Sequence, residues 1–434
     1  MKYLNLKEAV MQSFTSIGPM LDFIALFSVI ALYSGSLLPF VVIFSFLLSY
    51  FTLYTIYALS KKYITNGGYY SYVGNILGKD FGIFVLLLYV MYSVLTVPNI
   101  SMFISGFLYS IFNLFGIYNA YLEYIFIIIF IGMVYLVVSS GLKVSIKYTL
   151  IAGFLEIMFI LIMSAVFIIH RSPDFSFSGI KFGLNPFFFG VIFGILAFSG
   201  GGSSIFLSET TQSSHNNTPK SLLISFTISG IIMSISAFAL LIFSGYSGLS
   251  NYISNPFYIT ELAFHRLGLP FLIFFAFFGI MSGFNLSVSY LNAFINLIPR
   301  FYSDFNIKHM PEKKNLIIIL LLASIFISVI LTYFIGVFIA FVIIAGIISF
   351  LYIIIHIISN ISLIKLYTKN KFFIPVISSV FLIIAFVLSF TSNAGYYISI
   401  NYFIIIYVII VISYVLYVKR NKLGFYRNIK FEYK

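Results

Sequence analysis

The sequence predicts an all-α integral membrane protein with twelve transmembrane helices. Three observations carry that prediction. Only 8% of the 434 residues are charged and 61% are hydrophobic, with a mean hydropathy of +1.10, a balance that no water-soluble domain of this length shows. Apolar stretches near or above the roughly 20 residues that cross about 30 Å of hydrocarbon follow one another along the whole chain. The cations between them alternate. With a cytoplasmic N-terminus, only Arg171, Lys181 and Arg266 of the 24 lysines and arginines fall outside, as the positive-inside rule requires. A transmembrane β-barrel would instead show alternating segments of about ten residues.

The spans are expected near 9–34, 38–60, 80–109, 124–140, 146–170, 186–209, 219–245, 268–298, 315–334, 337–366, 372–391 and 396–418. The first follows Met1–Glu8, which has no cleavable signal with a small-residue site, so it is expected to remain in the mature protein. The second ends in Lys61 and Lys62. The third is unusually long and the fourth is short. The fifth carries Glu156. A long outer connection, 171–185, leads to the sixth, and a second, 246–267, joins the seventh to the eighth. The inner loops hold Lys2, Lys143, Lys147, Lys313, Lys314, Lys365, Lys369 and Lys371, and the basic tail 419–434 adds Lys422, Arg427 and Lys434. These charges orient the chain in the bilayer. They are not a nucleic-acid footprint, and both termini are expected in the cytoplasm, with the protein in the cell membrane.

The chain has no cysteine and no tryptophan. Disulfides, thiolate metal sites and cysteine nucleophiles are therefore excluded, and the 33 Tyr and 54 Phe must supply interfacial anchors and any aromatic gate.

Two spans are interrupted. The first reads Thr15-Ser16-Ile17-Gly18-Pro19 and the sixth Ser199-Gly200-Gly201-Gly202-Ser203-Ser204. Unpaired backbone groups cost several kcal/mol each, roughly, in hydrocarbon. A matched pair of breaks therefore points to a cavity that binds a solute. The breaks lie about 182 residues apart and the long third and eighth spans about 188 apart. Spans one to five (9–170) and six to ten (186–366) thus form two copies of one unit. An odd number of spans per copy makes the second copy inverted. Spans eleven and twelve (372–418) are additions, all within a single transmembrane domain, 1–434.

At the residue level the chain resembles the amino acid–polyamine–organocation permeases. Ser60 to Val73, with Gly67-Gly68 before Tyr69-Tyr70, is similar to that family's amphipathic loop after the second span, although Ile64 stands where Pro is usual. Ser16-Ile17-Gly18-Pro19 resembles its first-span glycine motif. Ala197 to Gly202, followed by Glu209 and Asn217-Thr218-Pro219-Lys220, resembles its sixth span and connector, and Asn360 its tenth-span asparagine. The resemblance implies a LeuT-type fold, amino acids or related amines as substrates, alternating access and, in many members, proton coupling.

An amino acid zwitterion needs partners for both charges once water is removed. The half-helix that begins at Pro19 offers N–H groups and a positive dipole end to a carboxylate. The sixth-span half-helix ending near Phe198 offers carbonyls to an ammonium. The expected substrate contacts are Ser16, Ile17, Gly18 and Pro19 on one side and Ala197, Phe198, Ser199, Gly200, Gly201 and Gly202 on the other, with Phe198 a candidate lid. The alternative reading of the glycines is close helix packing. Charges inside spans cost about 2.5–3.5 kcal/mol each on insertion scales. Asp22, one turn past Gly18, and Glu156 are accordingly candidates for proton or ion coupling. A sodium site in this fold would use first-span carbonyls with Ser282 and Ser289. A span-five lysine that serves some proton-coupled relatives is absent. His356 and Asn360 share a face of the tenth span and suggest an interhelical hydrogen-bonded pair.

No His-Glu cluster, second membrane aspartate or serine–histidine motif supports an intramembrane enzyme, and no catalytic residue, cofactor or metal site is expected. The expected activity is secondary active transport of amino acids, with the proton as coupling ion. The alternatives are a same-fold permease for polyamines, other amines or nucleobases, or a gradient-independent amino acid exchanger.

Overall fold

The computed structural model describes residues 4–367, 372–391, 396–421, 426 and 429–431. Lys2, Lys369, Lys371, Lys422, Arg427 and Lys434 lie outside the described residues. The described residues are almost wholly helical: α1 (Leu6–Ile17), α2 (Pro19–Ile24), α3 (Leu26–Ser34), α4 (Leu38–Lys62), α5 (Tyr69–Leu77), α6 (Lys79–Leu114), α7 (Tyr121–Ser139) and α8 (Leu142–Ile169). There follow α9 (Leu184–Leu196), a 3₁₀ segment (Ser199–Thr210), α10 (Ser214–Ser254), α11 (Tyr258–Asp304), α12 (Lys313–Ile335), α13 (Val337–Leu366), α14 (Phe373–Thr391) and α15 (Tyr397–Arg420).

Among the described residues, ten helical stretches meet the length and composition needed to cross a bilayer. The first expected span is cut into α1, α2 and α3, and α14 contributes only the shorter apolar run Phe373–Leu388. The segment 246–267 is not an open loop. α10 continues past a bend at Gly245 (φ 66°), and α11 begins ten residues before a second bend at Gly268 (φ 80°). Two short helical arms thus flank the turn between α10 and α11.

Local chemistry explains where the chain starts and stops its helices. α1 opens with a reciprocal cap: the Glu8 N–H donates to Asn5 Oδ1 at 3.0 Å and the Asn5 N–H to Glu8 Oε2 at 2.9 Å. Such a cap satisfies two of the donors that every helix start leaves free. α4 ends in Lys61 and Lys62, whose charge complements the carbonyl end of the helix dipole.

The amphipathicity is that of a membrane protein. Ile128, Ile129 and Leu136 of α7 and Ile319, Leu322 and Phe326 of α12 are exposed, so the outer faces are apolar and suited to lipid. The polar side chains turn inward. Gln12, Ser13, Thr15, Ser16, Asp22, Glu156, Ser282, Asn285 and Ser289 are all buried. α1, α2 and the 3₁₀ segment pack among α8, α10 and α11.

Candidate functional site

The first break is a single residue. Thr15, Ser16 and Ile17 remain helical, and only Gly18 leaves the helix, with φ 68° and ψ 55°. That left-handed conformation strains any residue with a Cβ. A Cβ at this position would also meet Leu286 Cδ1 at 2.5 Å. Pro19 then restarts the helix, where its missing N–H is harmless.

The second break is a change of helix type. α9 ends at Leu196 and the chain tightens into twelve residues of 3₁₀ helix, Ser199–Thr210, far longer than the usual three or four. Gly200 explains the crossing of the two breaks: a Cβ there would lie 1.7 Å from the Ser16 carbonyl oxygen, so the two backbones touch. The other two glycines pack against side chains. A Cβ on Gly201 would meet the Phe226 ring at 2.7 Å, and one on Gly202 the Tyr69 hydroxyl at 2.4 Å. Hydroxyls lace the breaks together. The Ser16 and Ser203 hydroxyls, 2.6 Å apart, both reach the Gln12 carbonyl, at 2.7 and 3.1 Å, and the Ser204 N–H donates to Ser13 Oγ at 3.1 Å.

A cavity of about 50 Å³ lies beside this crossing, room for only a few waters. Ser16, Ile17, Leu21, Asp22, Ala25 and Leu26 line it from the first span and Leu196 and Ser199 from the sixth. Tyr92, Thr96 and Asn99 line it from α6, Leu286 and Tyr290 from α11, and Phe341 and Ile348 from α13. No Lys, Arg or His is among these residues. The Tyr92 hydroxyl donates to Ser199 Oγ at 3.1 Å and meets the Tyr290 hydroxyl, closing one side. Asp22 is 3% exposed and Asn99 8%. Asp22 Oδ2 and Asn99 Oδ1 have no hydrogen-bond partner among the described residues.

Of the expected substrate contacts, Ser16, Ile17 and Ser199 line this cavity. Gly200 and Gly202 border a smaller space of about 10 Å³ beneath it, together with Tyr69, Tyr89 and Tyr352. Gly18, Pro19, Ala197, Phe198 and Gly201 line neither. Phe198 packs with Phe46 and Phe226, ring centroids 5.7 and 5.5 Å away, so here it belongs to a packed aromatic cluster. Sequence reasoning named Ser282 and Ser289 of α11 but not Tyr290, nor Tyr92, Thr96 and Asn99 of α6. Tyr92, Thr96 and Asn99 recur at helical spacing, the last beside Pro98, and that stripe was the available signal.

The N–H groups after the first break are taken. Gly18 donates to the Phe14 carbonyl, Pro19 has no N–H, and Asp22 donates to the Gly18 carbonyl. The Met20 N–H donates to Glu156 Oε1 at 3.1 Å and the Leu21 N–H to Ser282 Oγ at 3.0 Å. The carboxylate at this helix start is therefore the protein's own. Glu156 also accepts from Ser282 Oγ at 2.5 Å and Asn285 Nδ2 at 3.1 Å. Three donors and a helix N-terminus offset the burial of a carboxyl group with no cation beside it. Glu156 and Ser282 thus form one node. Ser289 lies two turns away and bonds Thr15 Oγ1 at 2.7 Å.

His356 and Asn360 do not pair. His356 lies against the Tyr69 and Tyr352 rings, centroids 5.2 and 4.1 Å away. Asn360 accepts from Thr55 at 2.6 Å and donates to Ser378 at 3.0 Å, which joins α4, α13 and α14. On the basic face, Glu209 exchanges hydrogen bonds with Asn66 at 3.0 and 2.9 Å and meets Arg300 at 3.4 Å. Arg300 in turn pairs with Asp304 at 2.9 Å, and the Tyr70 hydroxyl donates to Asp304 at 2.9 Å. This lattice ties the 3₁₀ segment, α5 and α11 together.

Comparison with known proteins follows the geometry. The amino acid permease family description matches residues 4–421. Crystal structures of two mutants of the manganese transporter of Eremococcus coleocola are similar in fold, each with a TM-score of 0.61 at 13% identity over 98% of this chain and 95% of that one. A search of curated proteins found no match.

Proposed function

The chain belongs to the amino acid permease family, an all-α membrane transporter fold of the LeuT type rather than an enzyme, and on that premise we propose that it carries amino acids across the cell membrane by alternating access, coupled to protons. The observation that supports this reading is the small polar cavity at the crossing of two helix breaks. The basic face is taken as cytoplasmic, with 9–170 and 186–366 as two inverted repeats and 372–418 as added spans. Lattice and tyrosines then close the inner side. A change in the pairing of Glu209, Arg300 and Asp304 frees that side to open.

Glu156 is the coupling group in this proposal. When ionised it ties α2, α8 and α11 together through Met20, Ser282 and Asn285. When protonated it needs an acceptor, and Asn285 Oδ1, with no partner among the described residues, supplies one once the amide turns over. The node can therefore hold either protonation state, while only the ionised state keeps its charge on the helix start.

The manganese transported by the structural relatives is a poorer fit. A manganese ion prefers several carboxylate, carbonyl and water oxygens. The cavity has one carboxylate, and the described residues hold no group of three or more His, Cys, Asp or Glu placed to bind a metal.

The test is uptake of labelled amino acids into proteoliposomes under an imposed proton gradient, a sodium gradient, or neither. Acceleration by the inward proton gradient alone is the expected result. No amino acid uptake under any condition defeats the proposal, and equal exchange in all three arms removes the role of Glu156.

A further inference from the structure

The carboxylate and ammonium of an amino acid do not find equal reception in this cavity. The helix start that could hold a substrate carboxylate is already occupied by Glu156, and each position from Gly18 to Asp22 is accounted for without a free N–H. The Ser16 and Thr96 hydroxyls are engaged by the carbonyls of Gln12 and Tyr92. No cationic side chain lines the wall. The Tyr92, Ser199 and Tyr290 hydroxyls bond one another. What the wall leaves without a partner is acceptors. Asp22 and Asn99, both more than nine-tenths buried, line the same cavity, and Asp22 Oδ2 and Asn99 Oδ1 have no hydrogen-bond partner among the described residues. A buried acceptor without a donor is unfavourable, and two of them on side chains that line one space call for a donor-rich cation. The rest of the wall, Ile100, Leu196, Leu286, Phe341 and Ile348, is apolar.

We propose that the obligatory group of the substrate is an ammonium received by Asp22 and Asn99, and that an α-carboxylate is dispensable, so that the carrier takes small primary amines with an apolar body, including decarboxylated amino acids. This rests on the transport reading above and narrows it. Asp22 then acts on the substrate and Glu156 on the coupling ion, two carboxylates of the same buried neighbourhood with separate tasks. A zwitterion brings its carboxylate toward Asp22 with no cation to receive it, whereas an amine brings only the charge that the wall lacks.

The experiment uses the full chain in detergent micelles, where passage of free amine through a bilayer does not interfere. Thermal unfolding is followed with two matched sets at equal concentration: leucine, 3-methylbutylamine and 4-methylpentanoate; and alanine, ethylamine and propionate. The expected result is that an amine stabilises at least as much as its parent amino acid and that the acids do nothing. Asp22→Asn should weaken the amine about tenfold, the loss of a charge-assisted hydrogen bond, and Asp22→Glu should restore selectivity for amines over acids. Stabilisation by leucine or alanine without their amines overturns this inference and leaves amino acid transport standing. Stabilisation by the acids, by none of the six, or undiminished amine binding in Asp22→Asn also overturns it. The transport reading fails separately, if proteoliposomes take up neither amino acids nor amines under any gradient.

Discussion

Replacing Glu156 by Gln should abolish proton coupling while nearly preserving the fold. The carboxylate accepts from the Met20 N–H, Ser282 Oγ and Asn285 Nδ2 at 3.1, 2.5 and 3.1 Å. Glutamine keeps one oxygen for Met20 and Ser282. Its amide nitrogen would face the Asn285 nitrogen, donor against donor, until the Asn285 amide turns and presents Oδ1, which has no partner among the described residues. The number of unpaired groups is then unchanged, the orphan passing from Asn285 Oδ1 to its Nδ2. The remaining loss is the charge, at the helix start and in the hydrogen bonds, about 1–2 kcal/mol. Glu156→Leu leaves the Met20 N–H and Asn285 without an acceptor, at about 1–3 kcal/mol each. Its expected destabilisation is therefore about 3–5 kcal/mol. Denaturation in mixed micelles measures the first quantity for both variants, and proteoliposome uptake with and without an inward proton gradient measures coupling. The Gln variant should exchange solute across the membrane but show no acceleration by the gradient. Gradient-driven uptake at the native rate in Glu156→Gln, or equal stability of the Gln and Leu variants, refutes the reasoning.

Other outcomes follow from particular contacts. Gly200→Ala places a methyl 1.7 Å from the Ser16 carbonyl oxygen and should prevent the breaks from crossing, seen as loss of folded protein on size-exclusion chromatography. Gly132→Ala, where a Cβ meets nothing within 4 Å, should instead leave the fold intact and add about 0.5–1 kcal/mol. His356 is buried and neither ring nitrogen has a hydrogen-bond partner among the described residues. His356→Leu should therefore be neutral or stabilising in thermal unfolding, and a large loss would reveal a polar role. Arg300→Ala removes the cation shared by Glu209 and Asp304. In this cysteine-free chain a single Ser208→Cys, buried and next to Glu209 in sequence, should then react with a permeant maleimide several-fold faster than with Arg300 in place.

Much of the helical layout was legible in the sequence because each span must satisfy its own backbone in hydrocarbon. The long third span appears as Lys79–Leu114, and the fifth as Leu142–Ile169. The extent of the breaks was not legible. Glycine and proline mark where a helix can bend, but whether five residues unwind or one depends on what packs around them. Here Leu286 and the Ser16 carbonyl press directly on Gly18 and Gly200. The arms on either side of Gly245 and Gly268 were hidden for a related reason. Their Gly, Asn and Pro read as loop, while packing keeps 246–254 and 258–267 helical.

The candidate site divides in the same way. The positions of the two breaks, and Asp22 and Glu156 as the costly charges, were fixed by local sequence alone, since an intramembrane carboxylate or a glycine run stands out against apolar neighbours. Which residues share a cavity was decided only by tertiary structure. Glu156 reaches the first break across 136 residues of chain, Tyr92 meets Tyr290 across 198, and Phe198 turns from the cavity into an aromatic cluster. Helical periodicity specifies a face, but not the partner against which that face packs. Whether the helix start after Gly18 is free for a solute or already holds a carboxylate of the protein follows from that partner.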